Sequence, residues 1–287
     1  VELIDQSAIP LKMDINFITA ALYAVTAGLA WREARMLTQA GAVRPASSWS
    51  TRLLFAAIAL HAAGIWWAVF GADGTAVNLG FSHAVSLIAF LTILSYVALG
   101  RDARLTRLAA IYLAPSAAAA CLLVALMPGQ RVVDYGKLDG FFAAHVIVAL
   151  LAYALFTVAT LHALLTMFLQ KQLQVGAVVE ASSDMPPLLK VERLMFQLLA
   201  AAFVLLTITL MTGVLFSEAL FNKPFQINHK TVFAVMSWFV FGGLMAGHWI
   251  AGWRGKLAVR WVLIGFGMLL LSYVGSKFVL EVILQRV

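Results

Sequence analysis

Apolar residues in this chain neither alternate with polar ones nor recur as narrow stripes; they run on for many helical turns. Eight such runs stand out, at 17–31, 53–70, 79–99, 108–127, 141–169, 195–220, 231–253 and 257–283. A bilayer's hydrocarbon core takes about 20 apolar residues in helical form, and all but the first, shortest run approach that length. The runs are rich in Ala and Leu and show no two-residue alternation, which excludes membrane strands. The pattern predicts an all-α, polytopic membrane protein of about eight transmembrane helices.

The polar positions gather between the runs, and their charges are uneven. Thirteen of the 20 Lys and Arg residues follow runs one, three, five and seven, among them Arg32, Arg35, Arg52, Arg101, Lys171, Arg193, Arg254 and Lys256. Cations concentrated in short loops mark the cytoplasmic side, so both ends of the chain are predicted to face outward. Composition agrees: 63% of residues are hydrophobic and only 11% charged, against roughly a quarter charged in a soluble domain. The net charge of +7 is accounted for by these loops, so the partner is membrane lipid and not nucleic acid.

No connection is long enough for a soluble domain, and no repeat of 20–50 residues is evident. The reading is therefore one integral membrane domain over residues 1–287. The longest connection, 170–192, contains Pro186 and Pro187, which mark a turn before a short amphipathic approach to run six. The first run lacks a basic start and a small-residue cleavage site, as a retained helix would. Residues 1–12, ahead of the internal Met13, read either as a short outer extension or as residues upstream of the true start.

Motifs for soluble chemistry are absent. There is no Walker A loop, GxGxxG, HExxH or nucleophile elbow, and the expectation is that the chain is not an enzyme. The single cysteine, Cys121, lies inside an apolar run and excludes a disulfide framework or a CxxCH attachment site within this chain. Lys277 and Glu281 are placed to pair on one helical face, while Glu218 stands near the outer end of run six. Trp66 and Trp67 suit an interfacial belt, and Lys230 suits a snorkelling cation.

The histidines carry the remaining chemistry. His83, His145 and His229 fall at similar depth near the outer face. His61 lies about 12 Å from the cytoplasmic start of run two, and His248 about 9 Å before Arg254. An imidazole in hydrocarbon is costly without a partner. Two readings follow for His61 and His248: they ligate one haem iron from both faces, or each donates a hydrogen bond to a neighbouring helix. His145 and His162 share one helix but stand some 25 Å apart, so they cannot serve one site. His162 lies about two turns before the cytoplasmic end of a run longer than a bilayer needs; that end is expected to project into water, and His162 reads as near-interfacial.

The last third of the chain carries a resemblance. Met185-Pro-Pro-Leu-Leu-Lys-Val-Glu-Arg-Leu-Met-Phe is followed by Leu205-Leu-Thr-Ile-Thr-Leu-Met-Thr-Gly-Val-Leu, by His229-Lys-Thr-Val-Phe-Ala-Val-Met-Ser-Trp238, and by Gly247-His248 leading to Gly252-Trp-Arg-Gly-Lys256. These stretches resemble the cytochrome c assembly superfamily of the CcsA/CcmC type, and more closely its shorter HemX/YpjD-like branch. The resemblance is strongest from about Asp139 to Ser276, within a family-like core of about 79–284.

The resemblance implies a bacterial inner-membrane protein that holds haem b non-covalently. In that light His145 looks like an outer-face haem histidine, and His248, just before Gly252-Trp-Arg-Gly, like an intramembrane axial ligand. His61 occupies the place of its axial partner, with His229 and His83 as further candidates at the outer face. Two departures limit the match. The stretch 217–229 has no tryptophan where haem-exporting members carry a tryptophan-rich loop, and no histidine follows the last run. The implied function is haem handling, cytochrome c biogenesis or regulation of haem supply. The alternative is a non-catalytic subunit, its haem site decayed, that stabilises or regulates other membrane protein subunits. A solute transporter fits less well, because the runs lack broken, charged segments in matching halves.

Overall fold

A backbone placed in lipid must satisfy its own hydrogen bonds, and long apolar runs do so by coiling into helices. The computed structural model describes residues 8–40, 49–67, 80–99, 106, 109–127, 140–174, 188–215 and 228–279. Among the described residues all regular structure is helical, with no strand. Six helices are long and apolar enough to cross a membrane, and a seventh apolar helix, Trp49–Ile65, is shorter. Asp73, Glu218, Glu281 and the Pro186-Pro187 pair lie outside the described residues, as does the side chain of Lys277. The chain divides into two compact units, at Lys137 and Leu138.

The first unit holds α1 (Ala8–Ala40), α2 (Trp49–Ile65), α3 (Phe81–Leu99) and α4 (Ala114–Leu126). Each helix packs on its neighbour in sequence, and α4 closes the ring onto α1. Small residues make that closure possible: Ala114, Ala117, Ala120 and Cys121 recur along one face of α4 and are buried, a spacing that brings helix axes close together. Cys121 is accordingly a core residue. Ahead of α4, the turn Ala109–Leu113 is widened. Pro115 has no N–H to donate back to the preceding turn, and a wider turn relieves that gap. The antiparallel pairing of α1 and α2 can be followed by contacts. Ser50 Oγ donates to Glu33 at 2.6 Å, Tyr23 meets His61, and Gly64 lies beside Asn16.

The second unit holds α5 (Gly140–Gln174), α6 (Leu188–Leu215), α7 (His229–Ala251) and α8 (Gly255–Leu270). After α8 the chain continues through a widened turn, Leu271–Gly275. These four also form a closed ring of sequence neighbours, α5 on α6, α6 on α7, α7 on α8 and α8 on α5. With 35 residues, α5 is about 52 Å long and exceeds a hydrocarbon core of about 30 Å. Its interior ties are specific. The Tyr153 hydroxyl donates to the Leu269 carbonyl at 2.6 Å. Phe156 stacks on Phe241 with centroids 4.1 Å apart, and Phe241 in turn covers Gly265. Along the α6–α7 seam Trp238 donates to Thr207 Oγ1 at 2.9 Å, and Phe203 fills the space at Gly242.

Gly265 leaves this packing little freedom. A methyl group there would come within 2.8 Å of the Phe241 ring, whereas one at Gly267 meets nothing within 4 Å. Gly265→Ala is expected to destabilise the protein by about 1–3 kcal/mol and Gly267→Ala to leave it nearly unchanged. Thermal unfolding of the two variants in detergent measures the difference; equal melting temperatures would contradict this packing.

Candidate functional site

The first unit buries one histidine completely. His61 is 1% exposed, and both of its ring nitrogens are engaged: Nδ1 with the Tyr23 hydroxyl at 3.3 Å and Nε2 with Ser86 Oγ at 2.9 Å. Tyr23 and Phe90 also meet the ring edge-on. Three helices thus converge on this imidazole, which explains why a polar ring is tolerated here. Hydropathy starts run two at residue 53, but α2 begins at Trp49, so His61 lies about 18 Å along it, between Arg52 and the Trp66-Trp67 pair. Both tryptophans are well exposed, as belt residues are. His83, near the start of α3, is buried with Nδ1 3.4 Å from Ser82 Oγ.

In the second unit the histidines occupy both ends. His145 Nδ1 lies 2.8 Å from Thr212 Oγ1, and its ring approaches Gly213. His229 is exposed as the first residue of α7, following Asn228, whose side chain accepts from the Thr231 N–H at 3.1 Å. At this end Ser272 also donates to the Lys230 carbonyl. His162 does not project into water: it is 3% exposed, with Nδ1 donating to the Val158 carbonyl at 2.8 Å. A helix longer than a bilayer can still have its end covered by protein.

His248 stands at the opposite end of the unit from His145. Phe196, against which it packs, lies about 24 Å along α6 from Thr212. Its ring stacks on Phe196 at 3.5 Å and 13°, and Nδ1 is 2.9 Å from the Trp253 carbonyl. No described protein group bonds Nε2. A groove of about 470 Å³ opens here, with Phe196, Met245 and Trp249 as apolar walls and Glu192, Arg193 and Arg254 as charged ones. That volume falls within the roughly 300–1,000 Å³ of small-molecule sites.

Local structure explains how the groove is held. α7 ends at Gly252 with φ 65°, and Gly255 follows with φ 61°, left-handed values that glycine adopts without strain. Between them Trp253 folds back over Gly247, leaving no room for a side chain there. Arg254 precedes α8 but its side chain makes no cap. Glu192 of α6 supplies one instead, accepting the Gly255 N–H at 2.7 Å. Glu192, Phe196 and Trp253 were not singled out from sequence. Their signal is a buried carboxylate among cations near a helix start, and a glycine beside the histidine, and neither has meaning until the helices are paired.

Among the described residues no three His, Cys, Asp or Glu side chains gather to hold a metal ion by themselves. A haem needs fewer protein ligands: a ring nitrogen for the iron, apolar walls for the macrocycle and cations for its carboxylates. The His248 groove has each of these. His61 would have to give up a hydrogen bond to serve as a ligand.

The model of the cytochrome c assembly protein family matches residues 49–284. The chain is similar to the inner membrane protein YpjD of Escherichia coli, 33% identical over 161 residues, covering 56% of this chain and 60% of that protein. The chain thus spans less than two thirds of that relative's length. It is 31% identical to a 28.8 kDa protein of Azospirillum brasilense over 282 residues, 96% of this chain and all of the relative. A shorter likeness, 26% over 83 residues, covering 29% of this chain and 24% of the relative, is to the cytochrome c biogenesis protein CcsA of a Synechococcus strain.

Proposed function

The chain belongs to the cytochrome c assembly protein family, and from that premise we propose that it is an inner-membrane haem-binding protein acting in haem handling for cytochrome c biogenesis. The observation that carries the reading is the free Nε2 edge of His248 in a groove that also presents Arg193 and Arg254. Haem, when bound, supplies an iron that takes an axial nitrogen. His248 offers that nitrogen, Phe196 and Met245 give an apolar bed, and the two guanidiniums suit carboxylates. The Escherichia coli relative, an inner membrane protein, supports the location.

We also propose the full span count. The six long helices, the shorter α2 and the long α1 together make eight crossings, with the Arg-rich ends in the cytoplasm and both ends of the chain outside. Single cysteines placed at Ser47 and at Asn222, in a Cys121→Ser background, test the sides. The first is expected to be shielded from a membrane-impermeant maleimide in intact cells and the second labelled; the reverse would sink the topology.

The functional test is a hemin titration of the purified protein followed by its absorbance. The wild type is expected to give a shifted Soret band that His248→Ala loses. Arg254→Ala is expected to weaken binding by about tenfold, since a charge-assisted bond contributes about 1.5 kcal/mol or more. His61→Ala is expected to retain the band, because both nitrogens of that ring already have protein partners. Loss of the band in His61→Ala as well would assign both histidines to the iron. No band with the wild type would overturn the haem reading in favour of a non-catalytic partner subunit.

A further inference from the structure

His248 is constrained on more sides than a ligand needs for packing alone. A carbonyl oxygen can only accept, so the 2.9 Å contact from Nδ1 to the Trp253 carbonyl puts a proton on Nδ1. In the neutral ring Nε2 then keeps its lone pair. The carbonyl that makes this choice belongs to a turn fixed by three separate contacts. Trp253 N–H donates to the Gly247 carbonyl at 3.1 Å. The Trp253 ring lies so close over Gly247 that a methyl group there would collide with it. Glu192 Oε1 takes the Gly255 N–H at 2.7 Å, closing the start of α8.

Glu192 is only 9% exposed. A carboxylate buried this far is costly unless it is bonded, and here it bonds the backbone of the turn. It sits one helical turn before Phe196, the residue stacked on His248. One face of α6 therefore holds the imidazole by its flat side, through Phe196, and by the turn that takes its proton, through Glu192.

We propose that Glu192, Gly247 and Trp253 are positioning residues for His248: they hold it with Nδ1 protonated and present Nε2 to the groove as an iron ligand. The identity of the ligand rests on the haem reading above, but the tautomer is a property of the protein without haem. A hydrogen bond to the far nitrogen of a ligating imidazole sets ring orientation and raises ligand basicity, and its loss commonly weakens metal binding by about 10- to 100-fold.

The test is a nitrogen-15 spectrum of the full chain, haem-free and labelled at histidine, with the His248 signals assigned by subtraction of a His248→Gln spectrum. The expected pattern is a protonated Nδ1 and an unprotonated Nε2. Gly247→Ala, which must move the Trp253 ring, and Glu192→Ala, which uncaps α8, are expected to convert the ring to a mixture of tautomers. Both are expected to weaken hemin binding by about 10- to 100-fold. Glu192→Gln keeps an acceptor oxygen and is expected to restore both readouts to within about threefold of wild type. Unchanged signals from the buried His162, in the same unit, report that each variant is folded; should Gly247→Ala and Glu192→Ala both fail that check, the wild-type tautomer and Glu192→Gln decide. A wild-type Nε2–H tautomer, a tautomer indifferent to both Gly247→Ala and Glu192→Ala, or a Glu192→Gln variant that does not match wild type would overturn the proposal. The expected tautomer without hemin binding by the wild type would sink the haem reading and leave the positioning role standing.

Discussion

Hydrocarbon neither donates nor accepts a hydrogen bond, and the polar groups within the described helices are placed under that constraint. The backbone answers by coiling. The threonines answer locally: Thr19, Thr26, Thr157, Thr160, Thr207, Thr209 and Thr212 each turn the hydroxyl back to the carbonyl four residues earlier. Larger polar groups answer across helices, Tyr153 on Leu269, Trp238 on Thr207, and His61 between Tyr23 and Ser86. These cross-helix bonds do more than remove a penalty, since each requires its two helices to meet at one depth and so sets the register of the ring.

The same constraint makes His248 unusual. One edge of its ring is bonded, one face is covered, and the other nitrogen opens on a groove with two cations. Carboxylates are used with similar economy at the Arg-rich ends of both units. Glu33 of α1 takes the Ser50 hydroxyl at the start of α2, and Glu192 of α6 caps α8. In each case an acid from one helix closes the N-terminus of another, where unpaired N–H groups and the positive end of the helix dipole favour it. The groove at His248 is built on the second of these closures.

Much of this was legible from hydropathy. Six of the apolar runs correspond to helices long and apolar enough to cross a membrane and another to the shorter α2, among the described residues, because lipid demands run lengths that little else in a sequence mimics. Where a helix ends was less legible. Trp49 and Ser50 begin α2 ahead of its apolar run, the latter because Glu33 receives its hydroxyl. Histidine was recognisable as the residue type to watch, and His248 by its place before Gly252-Trp-Arg-Gly. The state of each ring was not, since Tyr23, Ser86, Thr212 and Trp253 reach the imidazoles only through the fold. Glu192 reads in sequence as one more charge beside Arg193, and its cap on Gly255 spans too many residues for any local pattern to show.

The groove between α6 and α7 is where we propose that haem iron meets His248. The most direct measurement is a cryo-electron microscopy map of the protein in a lipid nanodisc with hemin added. The expected map shows porphyrin density against Phe196 and Met245, with the iron beside His248 Nε2. Porphyrin density that leaves His248 uncoordinated, or hemin absent from every site in the map, would contradict it.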